Sequence, residues 1–124
     1  MGKTTFVRTR AGLLRASSIL GCGVENASGE PLGKIEDLVL DPLRGTVAYA
    51  ILSFGGPAAV AGKLYAVPLP ALYYRGEDSK FVLYADKDTL KRAPGFEKSN
   101  WPDLNDRLWA EEICAHYGCP PYWE

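Results

Sequence analysis

Residues 32–68 constrain the possible folds of this chain more than any other stretch. They contain three β-rich runs: G-K-I-E-D-L-V-L-D-P, G-T-V-A-Y-A-I-L-S-F-G-G and K-L-Y-A-V-P-L-P. Each run closes on residues that end a strand or confine it to an edge: Asp-Pro, Gly-Gly and Val-Pro. In residues 46–54, Val47, Tyr49 and Ile51 alternate with Ala48, Ala50, Leu52 and Phe54, so both faces are apolar. Such a strand belongs in the middle of a sheet that is covered on both sides. Ahead of it, Asp41-Pro42-Leu43-Arg44-Gly45 reads as a turn, in which Pro42 presets φ and Gly45 takes the conformation leading into the next strand. These runs pair no nucleophile with a base and cluster no metal ligands, so they specify architecture rather than chemistry.

The first run carries a local conflict. Ile35 and Leu38 lie on opposite parities of a regular strand, and burying both predicts a bulge at Glu36 or Asp37. Residues 19–26 read as a strand weakened by Gly21 and Gly23, with A-S-G-E-P turning it into a hairpin. Residues 64–67 form another strand, which Pro68 and Pro70 terminate or place at an edge. Tyr73-Tyr74-Arg75, the turn G-E-D-S and residues 80–84 make a second hairpin. Five to six short antiparallel strands joined by tight turns predict a mainly β chain, folded as a small closed or nearly closed barrel, because closure removes exposed edges.

After Asp86 the pattern changes. Asp86 or Asp88 is placed to cap a short helix running through Leu90, and Ala93-Pro94-Gly95 stops it. A second helix is predicted over residues 104–117, with Leu108, Trp109, Ile113 and Tyr117 as its apolar stripe and Asp106, Glu111 and Glu112 outward. Gly118 is its expected C-cap, and Pro120-Pro121 forbids continuation.

With 124 residues, 47% hydrophobic and 23% charged, the chain has the size and composition of one globular domain with appendages. Its formal net charge of -1 provides no general attraction to nucleic acid or anionic lipid. The charge is unevenly spread. Before Glu25 stand only Lys3, Arg8, Arg10 and Arg15, whereas from Glu97 onward six acids face two bases. A basic arm and an acidic tail of this kind attract each other within or between chains. The opening M-G-K-T-T-F lacks the Ser or Thr that a myristoylation signal wants where Phe6 stands. The acid-free start also fits an organellar presequence, but it contains no run of the ~20 apolar residues a membrane span needs. Three cysteines, Cys22, Cys114 and Cys119, are too few for a disulfide framework and fit a reducing, cytoplasmic setting.

Gly33-Lys34-Ile35-Glu36-Asp37 with Leu38 and Asp41, then Gly45, the strand from Val47 through Ser53, Gly55-Gly56, Ala66-Val67-Pro68, and Leu90 with Ala93-Pro94-Gly95-Phe96 resemble a PRC-barrel domain. This is the small barrel of the photosynthetic reaction centre H subunit and of a ribosome maturation factor. The resemblance covers residues 17–96, leaving residues 1–16 as a basic arm and 97–124 as a helical, aromatic-rich extension. That extension, from W-P-D-L through Y-G-C-P-P-Y-W, is similar to one on bacterial stand-alone members. The resemblance implies an adaptor or assembly module without catalysis of its own, and it transfers no functional residues.

The chemical candidates are few. Cys22, Cys114, His116 and Cys119 form a possible zinc or redox set, but Cys114-x-His116 points two ligands about 200° apart on a helix. The simpler arrangement is a half-buried Cys114 with His116 exposed. Glu36 and Asp37 point to opposite faces of a strand and do not converge on one substrate atom unless the bulge redirects one. Gly55-Gly56 lacks the spacing and the Lys-Ser/Thr pair of a phosphate loop. The remaining signal is aromatic: Trp101, Trp109, Tyr117, Tyr122 and Trp123 exceed what one helix buries within itself and are the candidate interaction residues. Either Trp101 and Trp109 fill a groove on the chain's own sheet, or the tail anchors on a neighbour. The expectation is a non-enzymatic interaction adaptor, homodimeric, with no catalytic, cofactor or metal residues, no nucleic-acid partner and an unnamed protein partner. The alternatives are a metal- or redox-responsive module built on the Cys/His set, or a ribosome-assembly accessory factor.

Overall fold

The computed structural model describes residues 12–55, 62–85 and 87–124. The expectations for the basic arm ahead of Gly12, for residues 56–61 and for Asp86 as a cap lie outside these. A one-turn helix α1 (Ala16–Ile19) precedes β1 (Gly23–Asn26), and a long hairpin of β2 (Pro31–Asp41) and β3 (Thr46–Phe54) follows. β4 (Lys63–Pro68), a 3₁₀ turn (Leu69–Ala71), β5 (Leu72–Arg75) and β6 (Lys80–Leu83) come next. The chain ends with α2 (Lys87–Lys91), β7 (Phe96–Glu97) and α3 (Arg107–Tyr117).

The strands form one sheet of seven, in the order β5-β6-β1-β2-β3-β4-β7. All pairs are antiparallel except β1 with β6, which run parallel. The sequence pattern anticipates five or six strands, all antiparallel. The additional strand is the two-residue β7, too short to carry a pattern of its own. The parallel pair arises because two separate hairpins are brought side by side. Among the described residues no ladder closes the sheet, yet its ends must approach. On a flat sheet, β5 and β4 would stand about 24 Å apart at ~4.8 Å per strand, but the chain passes from Pro68 to Leu72 through a reach of about 14 Å. The sheet therefore curls, and Val24, Ile35, Ala50, Leu52, Val67 and Leu83 share one aliphatic core. The result is a barrel lacking hydrogen-bond closure.

β3 shows why apolar residues occupy both of its faces. Ala50 and Leu52 enter the barrel core. Tyr49 and Ile51 face outward and are covered by Ala110, Ile113 and Cys114 of α3. The predicted bulge is present: the β2–β3 register shifts between Ile35 and Asp37 and passes over Glu36. As a result Ile35 is buried and Leu38 packs against the same core. Gly33 is fixed by close approach, since a Cβ there would collide with the Ser53 carbonyl and the Phe54 Cα. The Asp41–Gly45 turn forms as expected. The Asp41 carboxylate accepts from the Leu43 and Arg44 amides, the Gly45 amide donates to the Asp41 carbonyl, and Gly45 adopts a φ of 69°.

Two boundaries differ from expectation. Ile19 ends α1 instead of opening a strand, because the chain turns at Gly21, whose φ is 88°. The last helix begins at Arg107 and not at residue 104. The Asp106 carboxylate accepts from the amides of Leu108 and Trp109 at 3.0 and 3.5 Å and caps the helix there. This sets the buried face at Ala110, Ile113 and Cys114 and leaves Leu108, expected on the apolar stripe, 77% exposed. Gly118 closes the helix in the left-handed region.

Candidate interaction surface

The aromatic extension lies on the outer face of its own sheet, centred on Tyr49. The Tyr49 ring meets Trp109 edge-on at 5.5 Å and Tyr122 at 5.9 Å. Trp123 continues the chain of contacts, with its ring 5.0 Å from Tyr122 and the Arg107 guanidinium 4.2 Å above it. Edge-to-face pairs of this kind place positive ring edges against negative faces, and the guanidinium makes the corresponding cation–π contact. Tyr117 packs between the two cores. Trp101 departs from the expectation that it fills a groove of the sheet alongside Trp109. It rests on Phe96 of β7 at 4.9 Å and remains 37% exposed.

The hydroxyls of Tyr49 and Tyr117 are buried without a hydrogen-bond partner among the described residues. Burial raises the pKa of both phenols, and neighbouring Cys114 and Tyr122 (for Tyr49) and Tyr65 (for Tyr117) add to it. Both rings therefore stay neutral.

The Cys/His set is not brought together. Cys114 is buried rather than half-buried, and its thiol is raised by desolvation and by the nearby Cys119. Burial also raises Cys119, so neither thiol is poised as a thiolate at neutral pH. His116 is half-buried instead of exposed, and its Nε2 contacts the Thr89 carbonyl at 2.7 Å, tying α3 to α2. The Cys22 thiol donates to the Ser18 carbonyl. Among the described residues, no three His, Cys, Asp or Glu side chains are grouped as metal ligands. Glu36 and Asp37 do not converge either, as Glu36 accepts from Ser53 Oγ at 2.6 Å and Asp37 accepts from the Leu38 amide.

Sequence reasoning missed two features. The first is an ionic knot at the β5–β6 end. Glu25, 9% exposed, accepts from Arg75 at 2.7 Å and Lys80 at 2.9 Å, and Arg75 also grips Asp78. The Lys80 and Arg75 hydrogen bonds hold the Glu25 carboxyl below its usual range. A charge inside the apolar run I-L-G-C-G-V-E-N was the available signal. The second is the β2–β3 hairpin tip, where Leu40 and Leu43 are 64% and 87% exposed. Beside them lies an open hollow of about 220 Å³ that reaches Leu104 and Tyr122. A smaller hollow of about 140 Å³ lies on the other side of Tyr122, toward Cys114 and Pro121.

The chain belongs to the PRC-barrel domain family, whose sequence model matches residues 11–90. The match ends before β7 and α3, so the aromatic cover lies beyond it. No curated protein matches the chain. Among the described residues no helix is long and apolar enough to cross a membrane.

Proposed function

We propose that this protein is a non-enzymatic adaptor of the PRC-barrel type, cytoplasmic and homodimeric, which offers apolar surface around its C-terminal extension to protein partners. The observation that carries this reading is the exposure of Leu40 and Leu43 beside a hollow lined by Leu40, Leu104 and Tyr122, with Leu108 exposed on α3; Leu13, Leu14, Leu20, Tyr84 and Trp101 are the other exposed large apolar groups among the described residues. Apolar surface gathered in one patch marks interaction sites. Three further features support it. The barrel core is apolar, the buried carboxylate Glu25 is neutralised by two cations, and the two hollows that share Tyr122 are each smaller than the ~300 Å³ at which ligand pockets begin.

The test is photocrosslinking in the native cell from a reactive residue placed at Leu108. The reading predicts one or a few discrete adducts with reproducible partners, reduced when Leu108 is flanked by charge through Glu112→Arg and Ala115→Glu. Diffuse labelling that is indifferent to these changes contradicts it, as does turnover of a small molecule by the purified chain.

A further inference from the structure

Resting on the homodimer reading, we propose that two copies join through the β2–β3 hairpin tip, the Leu43 side chain of each entering the hollow beside Leu104 on the other. Leu43 is 87% exposed at the apex of a rigid turn, held by the Asp41 carboxylate and by the Arg44 guanidinium bonded to Asp41 at 3.1 Å. It is thus a preordered apolar knob, and ordering it costs little further entropy on binding. The hollow of about 220 Å³ is lined by the apolar Leu40, Pro42, Leu104 and Tyr122, with Asp41 and Asn105 as its polar members. It has room for a branched aliphatic side chain but falls below the ~300 Å³ of a small-molecule pocket.

Two observations select a second copy as the occupant. Knob and hollow share one hairpin, since Pro42 and Leu40 line the hollow and Leu43 follows directly. Complementary features side by side on one surface are what a two-fold interface requires, because each copy then gives and receives the same contact and the assembly closes at two. The charges also match. Arg44, next to the knob, has a side chain 41% exposed, and exposed Asp103 and Asp106 flank Leu104 and Asn105 at the hollow. Reciprocal insertion brings each Arg44 toward the acidic rim of the other copy's hollow, where Asp41, Asp103 and Asp106 stand.

Sedimentation of the full chain over a concentration series tests this with four variants. The expected result is a dimer for the native chain and for Tyr84→Asp, a control at the β6 end of the sheet. Leu43→Asp, exposed and so harmless to folding, is expected to weaken the dimer by at least about 30-fold, the loss typical of an interface hot spot. Its thermal midpoint measured as monomer stays unchanged. Arg44→Glu weakens the dimer less, and adding Asp103→Arg restores part of the loss, which separates pairing across the interface from damage to the turn. A native dimer that Leu43→Asp leaves intact overturns this interface while the homodimer reading stands. A native chain monomeric at every concentration overturns both.

Discussion

The two ends of the sheet are secured by different forces. At the β5–β6 end, Glu25 draws Arg75 and Lys80 across 50 and 55 residues of sequence and joins the second hairpin to β1. At the β3–β4 end, α3 and the aromatic tail cover Tyr49, Ile51, Leu64 and Ala66. The ionic end should respond to pH, the aromatic end to loss of volume. This is how a short chain covers a sheet with two apolar faces: the barrel buries one face and the extension buries the other.

Removing the extension strips the outer sheet face of its cover. With the chain ended at Phe96, Tyr49, Ile51 and Leu64 lose their cover at ~1.5–3 kcal/mol for each large side chain. That total rivals the ~5–15 kcal/mol of a whole domain, and the expected outcome is loss of the cooperative thermal transition. A melting midpoint within about 3 °C of the full chain would show that the outer face does not need cover. Next comes Tyr49→Ala, which removes the ring that Trp109 and Tyr122 share and is expected to cost ~3–5 kcal/mol in chemical denaturation. A cost near ~1 kcal/mol would mean that the aromatic pile collapses over the gap.

Glu25→Gln probes the opposite end. Because the native carboxyl is held below its usual value of 4.5 by Lys80 and Arg75, the native state resists its protonation. Its contribution is therefore complete above pH 4.5 and disappears as pH falls through the lowered native value. The variant should be less stable than the native chain at pH 7, and the difference should shrink in acid, as thermal midpoints across pH 2–7 would reveal. A constant difference would contradict the ionic account. The smallest effect is Asp106→Ala, which loses the cap of α3 and should lower stability by about 1 kcal/mol, with the Leu108 and Trp109 amides exchanging faster. Unchanged exchange there would move the helix start elsewhere.

Local chemistry made much of this fold legible. The parity conflict between Ile35 and Leu38 forced a bulge, and Asp41-Pro42 through Gly45 encoded its turn in four side chains and a φ. The two-faced pattern of β3 announced cover on both sides. The parallel β1–β6 pair and the Glu25–Arg75–Lys80 knot were not legible, because neither has a local spacing and both exist only once the sheet curls. The stripe of α3 was misplaced at Leu108 because an eleven-residue helix offers overlapping apolar faces, and only the position of the Asp106 cap selects among them. Of the candidate residues, Trp109 and Tyr122 meet Tyr49, Trp123 stacks edge-on behind Tyr122, Tyr117 packs between the two cores, and Trp101 rests on Phe96. The exposed leucines of the hairpin tip looked, in sequence, like ordinary turn neighbours.

The packing of Ile113 and Cys114 against Tyr49 and Ile51 makes the aromatic extension one cooperative unit with the barrel. Native-state hydrogen exchange tests this most directly, comparing amides of Ile113 and Cys114 in α3 with those of Ala50 and Leu52 in β3. The account predicts that both sets exchange only through global unfolding, with matching free energies. Rapid exchange in α3 while β3 remains protected would contradict it.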